Sequence, residues 1–128
     1  MQINEEEIKK KLGEARYHVL REKGTEIAFS GKLLNENAAG DYTCGVCGQV
    51  VFKSDTKFDS GCGWPSFYDA AETEAVKLVE DRSFGMQRVE ITCSNCGSHM
   101  GHVFNDAPDQ PTGMRYCINS ASLDFKKK

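Results

Sequence analysis

Six cysteines carry most of the chemistry available to this 128-residue chain. Four of them fall in two matching strings, Thr43-Cys44-Gly45-Val46-Cys47-Gly48 and Thr92-Cys93-Ser94-Asn95-Cys96-Gly97. A Cys-x-x-Cys turn lets two thiolates converge on one ion. The glycine that follows permits a tight backbone that aims peptide N–H groups at sulfur. Two such turns supply four sulfurs, the donor set of tetrahedral zinc with Zn–S near ~2.3 Å. Four protein ligands leave no open coordination position, so Zn2+ held by Cys44, Cys47, Cys93 and Cys96 is expected to be structural, one ion per chain. The 45 residues between the pairs exceed the ~15–20 of a compact zinc ribbon, so the metal should pin together two distant parts of a larger domain. Iron would also fit four thiolates. A thioredoxin-like redox motif would explain Cys44 and Cys47 alone, but not the matching second pair, and a dithiol–disulfide switch is a third rival.

Cys62 and Cys117 remain, in unlike surroundings. Cys62 sits in Ser60-Gly61-Cys62-Gly63-Trp64-Pro65, a loop whose flanking glycines allow motion and close backbone approach. Cys117 sits in Arg115-Tyr116-Cys117-Ile118-Asn119-Ser120, a strand candidate. Period-two geometry puts Arg115, Cys117 and Asn119 on one face, with Tyr116 and Ile118 on the other. A thiol between a guanidinium and a carboxamide is an unusual setting for a structural cysteine, and nearby positive charge favours the reactive thiolate. The plainer alternative is a small hydrophobe with polar neighbours. His99 and His102 follow the second Cys-x-x-Cys turn and can move protons near neutral pH. Gly101 between them is a candidate bulge, which leaves their faces open. Trp64 is either core or an apolar wall beside a nucleophile.

The elements that must position these residues are mostly short strands. Residues 4–24 read as helical, with Asn4 as cap, Glu7 completing a partial capping box, and a break at Gly13. A second helix over 15–22 should turn Tyr17 and Leu20 inward and stop at Gly24. His18 there is given no catalytic role. From residue 40 the texture changes, and strands are predicted at 42–43, 50–53, 75–79, 86–92, 102–105 and 115–124. Pro108, Pro111 and Gly113 mark an irregular loop. The expected class is mainly β with a helical arm (residues 1–24) on a zinc-anchored β core (residues 40–125), one domain over residues 1–128.

Composition narrows the partners. The net charge is −3 and the C-terminal basic run is Lys126-Lys127-Lys128. That is no nucleic-acid footprint, and it argues against a nucleic-acid-binding zinc module. No stretch approaches the ~20 apolar residues of a membrane span. The opening residues, rich in Glu and Lys, lack the apolar core of a secretion signal, so a cytoplasmic setting is expected. There, six cysteines read as metal ligands or redox groups.

The longest strings make the chain similar to a known family. Lys57-Phe58-Asp59-Ser60-Gly61-Cys62-Gly63-Trp64-Pro65-Ser66-Phe67, Gly101-His102-Val103-Phe104, and the run from Pro111-Thr112-Gly113-Met114 through Arg115-Tyr116-Cys117-Ile118-Asn119-Ser120 to Leu123 resemble methionine sulfoxide reductase B. The resemblance implies two antiparallel β-sheets (the β-tent fold), N-terminal helices and a zinc site remote from the active site. It implies Cys117 as nucleophile and Cys62 as resolving thiol, joined in a disulfide during turnover. It further implies His99, His102, Asn119 and Arg115 as polar catalytic-site residues. Trp64, Phe104 and Asp106 are implied on the substrate side. A Gly often stands in the family where this chain has Ala107. The implied reaction is reduction of the R epimer of methionine sulfoxide, protein-bound or free, with a thioredoxin-like dithiol as reductant. A monomer is expected. Two other classes compete: a zinc-stabilised binding module, which would not need Cys117, Arg115 and two histidines, and a thiol peroxidase, which gives no reason for the tryptophan loop.

Overall fold

The computed structural model describes residues 4–72, 74–82 and 88–127. Two short helices open it, α1 (Glu5–Leu12) and α2 (Glu14–Glu22). The Asn4 side chain accepts from the N–H groups of Glu6 at 3.1 Å and Glu7 at 3.2 Å. Glutamates fill the first turn of α1 and lysines the last, which complements the helix dipole. Gly13, at φ 85° and ψ 162°, separates the helices. In α2 the buried side chains are Val19 and Leu20, whereas Tyr17 is half-buried and turns its hydroxyl to Glu5. The left-handed residue ending α2 is Lys23 at φ 58°, not Gly24. Gly24 instead sits under the exposed His18 ring, which a side-chain carbon there would meet at 2.2 Å and push aside.

Nine strands follow among the described residues: β1 (Gly40–Cys44), β2 (Val50–Lys53), β3 (Lys57–Phe58), β4 (Ser66–Phe67), β5 (Val76–Asp81), β6 (Arg88–Cys93), β7 (His99–Phe104), β8 (Arg115–Ile118) and β9 (Leu123–Lys127). They form two antiparallel sheets, ordered β2-β1-β9 and β3-β4-β8-β7-β6-β5. The class is mainly β, as read from the sequence. The run expected as one strand over 115–124 divides between the sheets. Asn119 N–H closes the ladder on Met100 O at 2.9 Å, and Ser122 N–H turns back to Asn119 O at 3.0 Å. Ser122 Oγ also donates to His99 O at 2.9 Å, so short polar side chains take up backbone groups at this corner. The strand expected over 86–92 is described from Arg88, and Met86 and Gln87 lie outside the described residues, as does Lys128 of the basic run. β7 begins three residues before the expected 102.

Aromatic residues seal the two sheets together. Tyr42 and Phe52 of the small sheet meet Phe67 of the large one at ring-centroid distances of 5.0 and 4.5 Å. All three are fully buried, with Ile91, Met100 and Ile118 beside them. Such pairs contribute about 0.5–1.5 kcal/mol each beyond area burial. The two Cys-x-x-Cys turns leave the ends of β1 and β6, one in each sheet, and so join the sheets at one edge of this core. Among the described residues no helix is long and apolar enough to cross a membrane.

Candidate active site and metal centre

The four knuckle sulfurs lie within 4.8 Å of one another. Cys44 and Cys96 are 3.6 Å apart, as are Cys47 and Cys93. Tetrahedral arms of ~2.3 Å would space sulfurs by about 3.8 Å, so the donor set fits one ion of zinc's size. The separations are far longer than a disulfide's ~2.05 Å, and all six cysteines are free. Both turns close by the same bond: Gly48 N–H to Cys44 O at 2.9 Å, and Gly97 N–H to Cys93 O at 2.8 Å. Gly48 (φ 81°) and Gly97 (φ 75°) have open space around them, so the left-handed backbone alone demands glycine there. Val46 N–H points at Cys44 sulfur at 3.4 Å. Gln49 Nε2 ties the two turns, donating to Ala75 O at 2.7 Å and Ser94 Oγ at 3.0 Å. Four thiols this close, three of them buried, cannot all ionise unless a cation offsets the charge.

The remaining two cysteines meet at the other end of the molecule's chemistry. Cys117 lies in mid-β8, opposite Ser66 of β4 on one side and His102 of β7 on the other. Cys62 enters from the β3–β4 loop, whose Gly61 and Gly63 take φ of 74° and 98°. The two sulfurs are 3.9 Å apart, and both residues are only partly buried. Cys62 sulfur accepts from Ser60 Oγ at 3.0 Å and lies 3.5 Å from Ser66 Oγ. The Cys117 thiol first, then these hydroxyls, bring Cys62 down to about 4 against the opposing effect of burial. Cys117 is pushed up, by Cys62 and then by burial, with Arg115 opposing. A negative charge on the pair is thus favoured on Cys62, the sulfur that has hydroxyl donors. Arg115 favours a Cys117 thiolate, as its charge suggests, but is outweighed.

Both sulfurs open on a cavity of about 200 Å³. Its walls are Trp64, Phe104, Arg115 and Asn119, with Thr25, Arg88, Gly101 and His102 completing them. That is below the ~300–1,000 Å³ of sites for drug-sized ligands, and it suits one side chain. The alternation on β8 puts Arg115, Cys117 and Asn119 on the cavity while Ile118 is fully buried on the opposite face. Arg115 is clamped by Asp106, with 3.0 and 2.9 Å bonds to the two carboxylate oxygens. Its guanidinium carbon also stacks 4.5 Å from the Phe104 ring centroid. Asp106 itself lines a neighbouring hollow that it shares with Cys62 and Arg115, not the 200 Å³ cavity. Its place is behind the arginine.

A bulge decides the histidine geometry. Between β6 and β7 the register steps from Ile91↔Gly101 to Thr92↔His99, so Met100 is the extra residue. Without it, residues three apart would face opposite sides; with it, the His99 and His102 rings meet edge-on at 5.5 Å. His102 lines the cavity, and its Nε2 is bound to Asp81 Oδ2 at 2.8 Å. His99 is 3% exposed and lies behind it, its Nδ1 on Glu90 Oε2 at 2.8 Å. Burial lowers the His99 pKa, against Glu90, so this ring tends to stay neutral. Asp81, Glu90, Arg88, Thr25 and Ser60 were not singled out from the sequence. A charged Glu90 between Val89 and Ile91 is the one visible signal, since a carboxylate in a strand interior needs a partner. Gly101 has a firmer role than a bulge: a side-chain carbon there would sit 1.9 Å from Cys117 O, so glycine lets β7 and β8 approach at the thiol.

Comparison with known proteins settles the family. The model of the SelR domain matches residues 12–127. The chain belongs to the SelR family. Among its SelR relatives, the peptide methionine sulfoxide reductase MsrB of Methanosarcina barkeri is 60% identical over 123 residues, 96% of this chain and 86% of that protein. The protein of the same name from Leptospira interrogans is 54% identical over 125 residues, 98% of this chain and 95% of that one. Mouse methionine-R-sulfoxide reductase B3, mitochondrial, is 54% identical over 123 residues, 96% of this chain and 48% of that protein. The crystal structure of the Mis18 'Yippee-like' domain superposes with a TM-score of 0.56 at 21% identity, over 70% of this SelR chain and 97% of that chain. At that identity it speaks for the shared fold alone.

Proposed function

We infer that this chain is an oxidoreductase that returns the R epimer of methionine sulfoxide to methionine, with Cys117 as nucleophile and Cys62 as resolving thiol. The observation that carries it is the pair of free sulfurs 3.9 Å apart, opening on a cavity walled by one indole and several polar donors. A proton shift across that contact moves the negative charge onto Cys117, beside Arg115. Cys117 sulfur then bonds to the sulfoxide sulfur. His102, when doubly protonated, donates from Nδ1 to the sulfoxide oxygen while Asp81 holds Nε2; acid assistance of this kind is worth roughly 10²–10⁴ in rate. The protonated oxygen then passes from the substrate sulfur to Cys117 sulfur: the substrate S–O bond and the new sulfur–sulfur bond break, a Cys117 S–O bond forms, and the products are the Cys117 sulfenic acid and methionine. The Cys62 thiol attacks that sulfur, a disulfide forms and water departs. A thioredoxin-like dithiol restores both thiols by exchange.

Epimer choice follows from opposed walls. With the methyl group against Trp64, the oxygen faces Asn119, Arg88 and His102. Exchanging the two groups puts oxygen on the indole and leaves buried donors unpaired, at about 1–3 kcal/mol each. Cys44, Cys47, Cys93 and Cys96 would hold zinc, which would cross-link the two sheets and, with four protein ligands, take no part in the reaction. Protein-bound or free methionine sulfoxide as substrate, a cytoplasmic setting, a monomeric state and one domain over residues 1–128 complete the proposal. Turnover on separated R and S epimers with a dithiol reductant, with metal analysis of the same sample, tests it. Reduction of the S epimer alone, or no reduction at all, would overturn it.

A further inference from the structure

Between α2 and β1 the chain runs as an irregular strap, and one residue of it holds two walls of the cavity. Glu26 N–H donates to Asn119 Oδ1 at 3.0 Å, and Glu26 C=O accepts from Trp64 Nε1 at 3.1 Å. The side chain reaches further along the chain, where Oε1 accepts from Ala121 N–H at 2.8 Å. Gly31 closes over this carboxylate. A side-chain carbon there would start 2.4 Å from Glu26 Oε2 and 2.1 Å from Ser120 Oγ.

The first bond settles which way the Asn119 carboxamide is turned. A peptide N–H can only donate, so the atom it meets must be the amide oxygen. The amide nitrogen then gives one N–H to Met100 O at 3.1 Å and keeps a second. Indole nitrogen is likewise a donor only, so its bond to Glu26 O fixes the rotation of the ring. The apolar wall and the amide donor are therefore both referenced to one residue. That residue lies in no strand ladder, and its carboxylate ties it to the turn after β8.

We propose that Glu26 is a positioning residue: anchored at Ala121, it sets the gap between Trp64 and Asn119 and so the choice between sulfoxide epimers, which rests on the reductase assignment above. Two epimers differ only in which group faces which wall. Discrimination therefore needs the walls held at constant separation, more than it needs either wall alone. The strap also grips the cysteine loop at a second point, Phe29 N–H to Gly63 O at 2.7 Å, so the indole and the loop move with it.

The test compares Glu26→Ala, Glu26→Gln and Gly31→Ala in kcat and KM on separated epimers, together with emission from Trp64, the sole tryptophan. Glu26→Ala is expected to lose on the order of tenfold in kcat/KM for the R epimer, the value of one charge-assisted hydrogen bond. The R-to-S ratio should narrow, and the indole emission should move to the red as its N–H comes free. Glu26→Gln keeps an acceptor for Ala121 and should restore most of both. Gly31→Ala pushes on the same carboxylate from the other side and should reproduce the Glu26→Ala signature if that variant folds poorly. An unchanged R-to-S ratio in Glu26→Ala and Gly31→Ala, including equal loss on both epimers, would overturn the proposal. Failure of the unaltered enzyme to reduce the R epimer would instead remove the reductase assignment, and the emission shift would still report on the clamp.

Discussion

The two cysteine groups have nearly the same sulfur spacing, 3.6 Å in the cluster of four and 3.9 Å in the pair, yet are suited to different chemistry. In the cluster, every sulfur comes from a closed turn at a strand end, pinned by a left-handed glycine and turned toward three others. In the pair, one sulfur lies in mid-strand and the other on a glycine-flanked loop, with a cavity on their open side. Spacing alone does not separate a ligand from a nucleophile. What separates them is the number of sulfurs sharing the charge and whether a second reactant can reach them.

The comparison breaks most sharply at the two thiols that have no substitute. Cys117→Ser is expected to drop sulfoxide reduction to background while metal content and melting temperature stay at wild-type values, read by turnover, atomic absorption and thermal unfolding. Substantial residual turnover would show that the nucleophile lies elsewhere. Cys93→Ser should do the reverse first: lose the metal and, with it, folding free energy on the order of 10 kcal/mol, more than most domains hold in reserve. A metal-free Cys93→Ser protein as stable as the wild type would end the structural role of the cluster.

How much of this was legible in sequence depends on whether the information was local. The two knuckles were, because Thr-Cys-x-x-Cys-Gly states its ligands and its turn in six letters. The alternation of Arg115, Cys117 and Asn119 was equally local. The division of residues 115–124 between two sheets was not, since strand periodicity carries no mark of which sheet a residue joins. The histidine geometry depended on one extra residue, Met100, whose bulge exists only relative to β6. Asp81 was silent for the same reason: it lies on β5, two strands from the His102 that it binds, and 21 residues away in sequence. Glu26 was the least visible, because two of its three site contacts are made by backbone atoms.

Smaller effects sharpen the comparison. Cys62→Ser should still release about one methionine per enzyme and then stop, with Cys117 trapped as sulfenic acid and metal content unchanged. Continued recycling by a dithiol would mean that another thiol resolves. The charge on Cys62 has its own signature. A thiol lowered to about 4 carries its charge above that pH and loses it as pH falls through it. Alkylation of Cys62, followed by peptide mass mapping, should therefore be nearly flat from about pH 5 to 8, where an ordinary thiol slows about tenfold per unit. A tenfold-per-unit slope at Cys62 would place the resting charge elsewhere.

The finest cut uses one serine from each group. Ser60 Oγ lies 3.0 Å from Cys62 sulfur, and Ser98 Oγ lies 3.1 Å from Cys96 sulfur. The two contacts look alike, but the charge they touch differs in what else stabilises it. At Cys96 a bound cation would supply most of the stabilisation, and Ser98 is fully buried and also holds Arg21. Ser98→Ala should therefore cost about 1–2 kcal/mol of stability and leave turnover unchanged. At Cys62 the hydroxyl is one of the few donors to a shared charge. Ser60→Ala should raise the Cys62 pKa by about one unit, which by linkage also costs roughly 1.4 kcal/mol of stability at neutral pH. Its alkylation rate would be nearly unchanged at pH 7 and roughly halved at pH 5. If both serines affected only stability, the pair would be a second structural cluster and the contrast between the two ends would be lost.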